Sequence, residues 1–169
     1  MFEYRENLIT DNALRLVWKE IEIIYPLLFG PEQTGTSRSN IGLLKKGKGF
    51  LCSEDMSKNI IPTCHKVAKV VGEKLDYKKL DILINYYEDG DYYKPHSDDA
   101  SKTMIIPLCK YESKFTGGSF KFTDLNITLP FINNNSILFD GKMRHEVTEI
   151  NMINNGNMLG RFSLNFFYF

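Results

Sequence analysis

LDILINYYEDGDYYKPHSD, residues 80–98, opens on apolar positions two apart (Leu80, Ile82, Ile84, Tyr86) and closes on His96 and Asp98. Period two is the signature of a strand, whose successive side chains leave opposite faces. Similar stretches follow at 103–109, 119–123, 126–129, 136–139, 145–150 and 161–169. Turn signals separate them: Asp89-Gly90-Asp91, Gly117-Gly118, Asn133-Asn134-Asn135, Asp140-Gly141 and Asn154-Asn155-Gly156. Many short strands with such punctuation predict a closed or sandwiched antiparallel sheet of the jelly-roll kind.

Upstream the period is helical. Asp11 is the expected N-cap of a helix carrying Leu14, Val17, Trp18, Ile21 and Ile24-Tyr25, which Pro26 and Gly30-Pro31 end, with Trp18 in the core. A second helix is expected from Pro62 to Leu75, with Val67, Val70, Val71 and Leu75 facing inward and His65 in a structural role. Residues 30–50, rich in Gly, Ser and Lys, read as a long loop or loose hairpin that serves as a lid. The fold class expected is mainly β with flanking helices, in one domain over residues 1–169: helical support and lid at 1–79, and the β core at 80–169.

Composition narrows the function. Lys plus Arg and Asp plus Glu both total 21, for a formal net charge of zero in 169 residues. Residues 1–80 carry 13 basic and 10 acidic side chains, and 81–169 carry 8 and 11. Neither half has the basic excess on which nucleic-acid or membrane-surface binding rests. Three cysteines without a C-x-x-C pair argue against a disulfide framework and for a reducing compartment. No apolar run approaches the ~20 residues of a membrane span, and the first residues lack the pattern of a secretory signal. A cytoplasmic location is the expectation.

The chain has three histidines, so the company of each is informative. In a strand, His96 and Asp98 leave the same face and can reach one cation. His145, 47 residues after Asp98, begins another expected strand. Two histidines and a carboxylate form the facial triad that leaves positions open on Fe(II); zinc is more often closed by a fourth ligand. Arg161 and Ser163 are again two apart, on the last strand, as are Asn85 and Tyr87 on an earlier one. These three polar pairs, on strands otherwise filled by Ile, Leu and Phe, suggest the lining of one pocket. An arginine aimed into a barrel needs an anion, which a ligand carboxylate or a structural Asp or Glu can supply.

Tyr87-x-x-Gly90-x-x-Tyr93-x-Pro95-His96-x-Asp98, then Gly117-Gly118-Ser119-Phe120, His145-Glu146-Val147 and Gly160-Arg161, resembles the Fe(II)- and 2-oxoglutarate-dependent dioxygenases, most of all the prolyl 4-hydroxylase type. The resemblance spans residues 80–169 and is only general before them. It implies a double-stranded β-helix and an enzyme that couples oxidative decarboxylation of 2-oxoglutarate, to succinate and CO2, to hydroxylation of a substrate. His96, Asp98 and His145 would be the iron ligands. Arg161 would bind the distal carboxylate of 2-oxoglutarate, Tyr87 and Ser163 would donate hydrogen bonds to it, and Asn85 and Thr103 would line the same pocket. Gly117-Gly118 would be the turn that lets the next strand approach. The cofactors implied are Fe(II), 2-oxoglutarate and O2, with ascorbate as the reductant in assays.

Collagen-type prolyl hydroxylases usually anchor the cosubstrate with a lysine, whereas this chain has Arg161, as the oxygen-sensing branch does. The 16 residues from His145 to Arg161 also exceed the usual gap; the surplus, Asn151–Leu159, reads as a longer hairpin loop. The substrate expected is a peptide or protein, with prolyl hydroxylation first. Alternatives are hydroxylation of a free amino acid or other small molecule, demethylation of alkylated nucleic acid, and a non-catalytic metal-binding jelly roll. The demethylases tend to carry a second arginine six residues after the first, where this chain has Phe167.

Overall fold

In the computed structural model, residues 1–30, 45–112 and 114–169 are described. The lid expected at 30–50 lies mostly outside them, at 31–44. In chain order the elements are β1 (Phe2–Arg5), α1 (Asp11–Ile24) with a 3-10 turn (Tyr25–Leu27), β2 (Lys45–Lys46), β3 (Lys48–Ser53), α2 (Glu54–Ile60), α3 (Pro62–Gly72), β4 (Leu80–Tyr87), β5 (Tyr92–His96) and β6 (Lys102–Leu108). Then follow β7 (Phe115–Gly117), β8 (Phe120–Phe122), β9 (Ile127–Leu129), β10 (Ser136–Asp140), β11 (His145–Val147), β12 (Ile150–Met152) and β13 (Arg161–Tyr168).

One sheet has the strand order β1-β10-β6-β13-β4-β3, a second β2-β5-β11-β8-β9, and β7 and β12 form a separate ribbon. All pairings are antiparallel. The fold is a jelly roll, mainly β with helices on one flank.

The pleat of the larger sheet separates two environments. Phe162, Leu164, Phe166 and Tyr168 of β13 join Leu80, Ile82, Ile84 and Tyr86 of β4 and Met104, Ile106 and Leu108 of β6 in one buried cluster with α1 and α3. Side chains like these contribute roughly 1.5–3 kcal/mol each when fully buried. On the opposite face, Ile105, Ile137 and Phe139 pack against Phe120, Phe122 and Val147 of the second sheet. That inner face also carries Tyr87 and Asn85 opposite Arg161 and Ser163. The alternation therefore points apolar residues toward the helices and the polar set into the barrel.

Several expectations change. The N-cap of α1 is Thr10, whose side chain accepts from Ala13 N, and Asp11 lies in the first turn, where its charge complements the helix dipole. Trp18 packs edge-on to Phe162 at 5.4 Å, in the core as expected. The second expected helix ends at Gly72 rather than Leu75, and Val70 is 64% exposed. Val67, Val71 and Leu75 do pack against the core, half-buried, and the fully buried seam beside them is Cys64, Ala68 and Gly72. Small residues four apart let the helix approach the sheet so closely that a Cβ on Gly72 would lie 2.6 Å from the Tyr168 ring. Glu20 of α1 caps this helix from outside: its carboxylate accepts from Thr63 N at 2.6 Å and Cys64 N at 3.0 Å, a task Ile61 at the N-cap position cannot perform.

Within the expected loop, residues 45–46 and 48–50 are strand, paired to β5 and β4. The alternation Lys48, Phe50, Cys52 against Gly49, Leu51 was masked by its Lys and Gly content. The strand expected over 145–150 is two, β11 and β12, which join different partners. Strands β1 and β7 and helix α2 have no counterpart among the expected elements, and the strand expected to carry both His96 and Asp98 ends at His96. His65 is structural, its Nδ1 lying 2.9 Å from Ser57 Oγ.

Candidate metal centre and anion anchor

His96 ends β5 and His145 begins β11, and the two are direct cross-strand partners. Asp98 lies two residues beyond β5, off the strand, so its placement does not come from the strand pleat. Its backbone N donates to Gly141 O at 2.7 Å, and Thr103 Oγ1 donates to its Oδ2 at 2.7 Å. Asp98 Oδ1 is 3.6 Å from His96 Nε2, and Oδ2 is 3.6 Å from His145 Nε2. One ligand atom from each of the three residues lies within 4.8 Å of the others. Two ligands of one cation, each ~2.1 Å from it, can be at most about 4.2 Å apart. Both 3.6 Å separations fall within that span.

The imidazoles are oriented for the task. His96 Nδ1 is 2.8 Å from Lys94 O, and His145 Nδ1 is 2.8 Å from Met143 O. A carbonyl accepts only, so each Nδ1 carries the hydrogen and each Nε2 turns a lone pair toward the cluster. Tyr93 stacks on His96 at 3.7 Å and 17°, while Phe120 and Phe139 flank His145, which is 2% exposed. Burial pushes the Asp98 carboxyl above its ordinary value, opposed by His145 and the Thr103 hydrogen bond. Burial, with Asp98 adding to it, also pushes the Tyr93 phenol up to about 12. The donor set of two neutral imidazoles and one carboxylate fits a divalent first-row metal.

Farther along the same inner face, Arg161 is 1% exposed, and its Nε and Nη1 have no hydrogen-bond partner. Its guanidinium lies over the Tyr87 ring at 5.4 Å and the Phe131 ring at 5.9 Å. Aromatic faces cover the plane and leave the edge, where a carboxylate binds bidentately. Burial pulls its pKa down to about 10, with only Tyr87 opposing. No Asp or Glu forms an ion pair with it among the described residues, so the structural partner left open by the sequence is not what balances this charge. The backbone is built closely around the pair: a Cβ on Gly118 would lie 2.9 Å from Arg161 Cδ, and one on Gly160 would lie 2.1 Å from Tyr87 O. Gly117 and Gly118 have φ of 78° and 65°, a turn that L side chains adopt rarely.

The other expected pocket residues divide. Tyr87 and Asn85 are buried on the inner face beside Arg161 and Ser163. Burial raises the Tyr87 phenol; Arg161 opposes, while Tyr93, Asp91 and Asp98 add to the rise. Its hydroxyl thus feels the charges of both Arg161 and Asp98. Ser163 is buried there too, but its hydroxyl donates to Asn165 Oδ1 at 2.9 Å. The orientation of that amide is fixed, because Asn165 Nδ2 donates to Leu83 O at 2.9 Å and Ser163 O at 3.2 Å. Thr103 stands opposite Phe167 of β13, six residues from Arg161, and is engaged with Asp98. Phe131, Gly141 and the carbonyls of Lys94 and Met143 were not anticipated. Only the carbonyls had a signal in the sequence: each lies two residues before a histidine.

No family model matches the sequence, and no curated protein does. Solved structures do match. A prolyl-4-hydroxylase of Pseudomonas putida is similar with a TM-score of 0.73 at 12% identity, over 99% of this chain and 91% of that one. A prolyl hydroxylase from Trichoplax adhaerens, in complex with a hypoxia inducible factor oxygen degradation domain peptide fragment, reaches 0.71 at 16% identity, over 99% and 83%. This chain has the fold of the prolyl hydroxylases. A Burkholderia pseudomallei oxidoreductase of the 2OG-Fe(II) oxygenase family shares it as well, with a TM-score of 0.61 at 13% identity, over 99% and 84%. At such identities the likeness is one of fold. None of the helices among the described residues is long and apolar enough to cross a membrane.

Proposed function

We propose that the chain is a single Fe(II)- and 2-oxoglutarate-dependent dioxygenase domain that hydroxylates a peptidyl substrate, with prolyl hydroxylation the first choice. The observation that carries this reading is the pairing, inside one jelly roll, of a His96–Asp98–His145 cluster with a buried arginine whose Nε and Nη1 have no hydrogen-bond partner. A metal-binding module alone does not need Arg161, since a buried charge without a partner costs several kcal/mol.

His96, Asp98 and His145 would hold iron, and Arg161 would take the distal carboxylate of 2-oxoglutarate. When bound, the two supply oxidative decarboxylation with O2 and oxygen insertion into a C–H bond. The protein's own share is binding, orientation and exclusion of water. Tyr87 and Phe131 would hold the guanidinium flat. Tyr87, whose ring lies against the guanidinium, is the phenol best placed to add a hydrogen bond to the cosubstrate. Phe120, Phe139 and Tyr93 keep water from the histidines. Ser163 enters as a wall of the pocket: its donor is committed to Asn165, and Asn85 lines the same wall.

For the substrate, one structural neighbour is a prolyl hydroxylase with a peptide fragment. The zero net charge and Phe167 in place of a second arginine weigh against nucleic acid. The three cysteines are free and buried, in keeping with a reducing, cytoplasmic setting.

The test is binding and turnover. Purified protein with Fe(II), ascorbate and 2-oxoglutarate should bind the cosubstrate and form succinate slowly even without substrate. Proline-containing peptides should accelerate this and gain 16 Da, whereas methylated oligonucleotides and free amino acids should not. Failure to bind 2-oxoglutarate with metal present refutes the reading; acceleration by oligonucleotides or amino acids alone moves it to that branch.

A further inference from the structure

Asp98 has two carboxylate oxygens, and the fold treats them differently. Oδ2 accepts the Thr103 hydroxyl hydrogen at 2.7 Å and lies 3.6 Å from His145 Nε2, while Oδ1 lies 3.6 Å from His96 Nε2 and is not the oxygen that Thr103 engages. Thr103 is fully buried on β6, opposite Phe139 of β10 and Phe167 of β13. It therefore stands in a strand paired on both sides rather than in a loop. The loop that carries Asp98 is fixed independently. Asp98 N donates to Gly141 O, Gly141 N donates to Ser101 O at 3.3 Å, and Lys142 Nζ donates to Asp98 O at 3.2 Å. A Cβ on Gly141 would lie 2.1 Å from Ala100 O, so the turn and loop meet where only glycine fits.

From this arrangement we infer that Thr103 is a positioning residue, which holds Asp98 so that a divalent cation is taken by Oδ1 alone. The inference rests on the metal centre proposed above and deepens it. A carboxylate free to rotate can close both oxygens on one ion and use a coordination position that cosubstrate and O2 require. A hydrogen bond on Oδ2 engages one of its lone pairs, competes with such a two-oxygen grip and opposes the rotation. The turn at 140–143 gives the same support to a second ligand, because Met143 O holds His145. Asp98 and His145 thus lean on one short segment, and Thr103 locks the remaining freedom of the carboxylate.

The probe is Co(II), titrated into metal-free protein, read by affinity and by its visible absorption, which reports coordination number. Thr103→Val keeps the shape and removes the donor; Thr103→Ser keeps the donor. Partners of metal ligands are typically worth 10–100-fold in affinity. Thr103→Val should lose roughly that much and shift the absorption bands, and Thr103→Ser should restore both to within about threefold. A merely structural role for Thr103 would change the melting temperature of the metal-free protein and leave the Co(II) spectrum alone. Equal Co(II) affinity and an unchanged spectrum in Thr103→Val overturn the inference. Should that variant not fold, Thr103→Ala is read in its place by the same criteria. Absence of Co(II) binding in the unaltered protein refutes the metal centre itself, a different result from binding that Thr103→Val leaves unchanged.

Discussion

Arg161→Met separates what the buried arginine does for function from what it does to stability. Burial takes the guanidinium from its ordinary 12.5 to about 10; at ~1.36 kcal/mol per pH unit this is a cost of about 3 kcal/mol to the metal-free, cosubstrate-free protein. Methionine is of similar length and carries no charge. Its substitution forfeits the contacts with Tyr87 and Phe131, worth ~1–2 kcal/mol when desolvated. The net expectation is a variant more stable by ~1–2 kcal/mol, or roughly 2–8 °C in melting temperature for a chain of this size.

The pH dependence has a definite sign. Between about pH 10 and 12.5 the unfolded chain holds the guanidinium proton more firmly than the folded one, so stability rises with pH across that window. Below it the cost is complete and constant, and the advantage of the variant should be flat from roughly pH 6 to 9. The assay is thermal melting with and without Mn(II) and 2-oxoglutarate. At ~100 times its Kd, the cosubstrate should stabilise the unaltered protein by ~2.7 kcal/mol and Arg161→Met not at all. A variant that melts below the unaltered protein means the charge is already balanced; a retained cosubstrate shift removes Arg161 from the anchor.

Three further outcomes are expected. His96→Ala should leave the fold intact and abolish metal retention, measured as metal per protein after gel filtration; stoichiometric retention would remove His96 from the centre. Glu20→Ala takes the acceptor from Thr63 N and Cys64 N and should destabilise by ~1–3 kcal/mol in urea unfolding, and an unchanged midpoint would show that water caps α3 equally well. Gly118→Ala adds a Cβ 2.4 Å from Ile150 Cδ1 and 2.9 Å from Arg161 Cδ at φ 65°; it should cost ~1–2 kcal/mol in stability from backbone handedness and weaken 2-oxoglutarate by roughly tenfold in calorimetry.

The strands were legible where polar residues are scarce. In β4 and β13, Asn85, Tyr87, Arg161 and Ser163 interrupt apolar runs at a spacing of two, and that spacing fixed the face they share. It could not fix their partners. Ser163 shares the face of Arg161, yet Asn165, also two residues on, holds its hydroxyl. Thr103 lies on the inner face its strand predicts, but its hydrogen-bond partner is not legible there, because Asp98 arrives through a loop whose path depends on Gly141 of a distant turn. Asp98 reads as a strand residue from its spacing to His96, although the strand has already ended. In and just after α3, Val67, Val71 and Leu75 do face the core, and only Val70 points outward; the fully buried seam of Cys64, Ala68 and Gly72 is set by the close approach to Tyr168, which favours the smallest side chains. Strand β3 was hidden by glycine and lysine, whose composition suggests a loop although the pleat is regular.

The register between β13 and β4 runs unbroken from Arg161 opposite Tyr87 to Tyr168 opposite Leu80. Each of the eight residues of β13 is thereby assigned to the barrel or to the helices by its parity alone. Removing one residue from within this strand would turn Arg161 toward α1 and Phe162 into the barrel, exchanging chemistry for packing in one step. Removing one residue from the exposed pair Asn154-Asn155 alters the length of a surface connection, and doubling such a connection costs just ~0.6 kcal/mol in closure entropy. The molecule thus divides into stretches where length can vary freely and stretches where it is a functional quantity. New surface contacts can be gained at the first without any movement of His96, Asp98, His145 or Arg161.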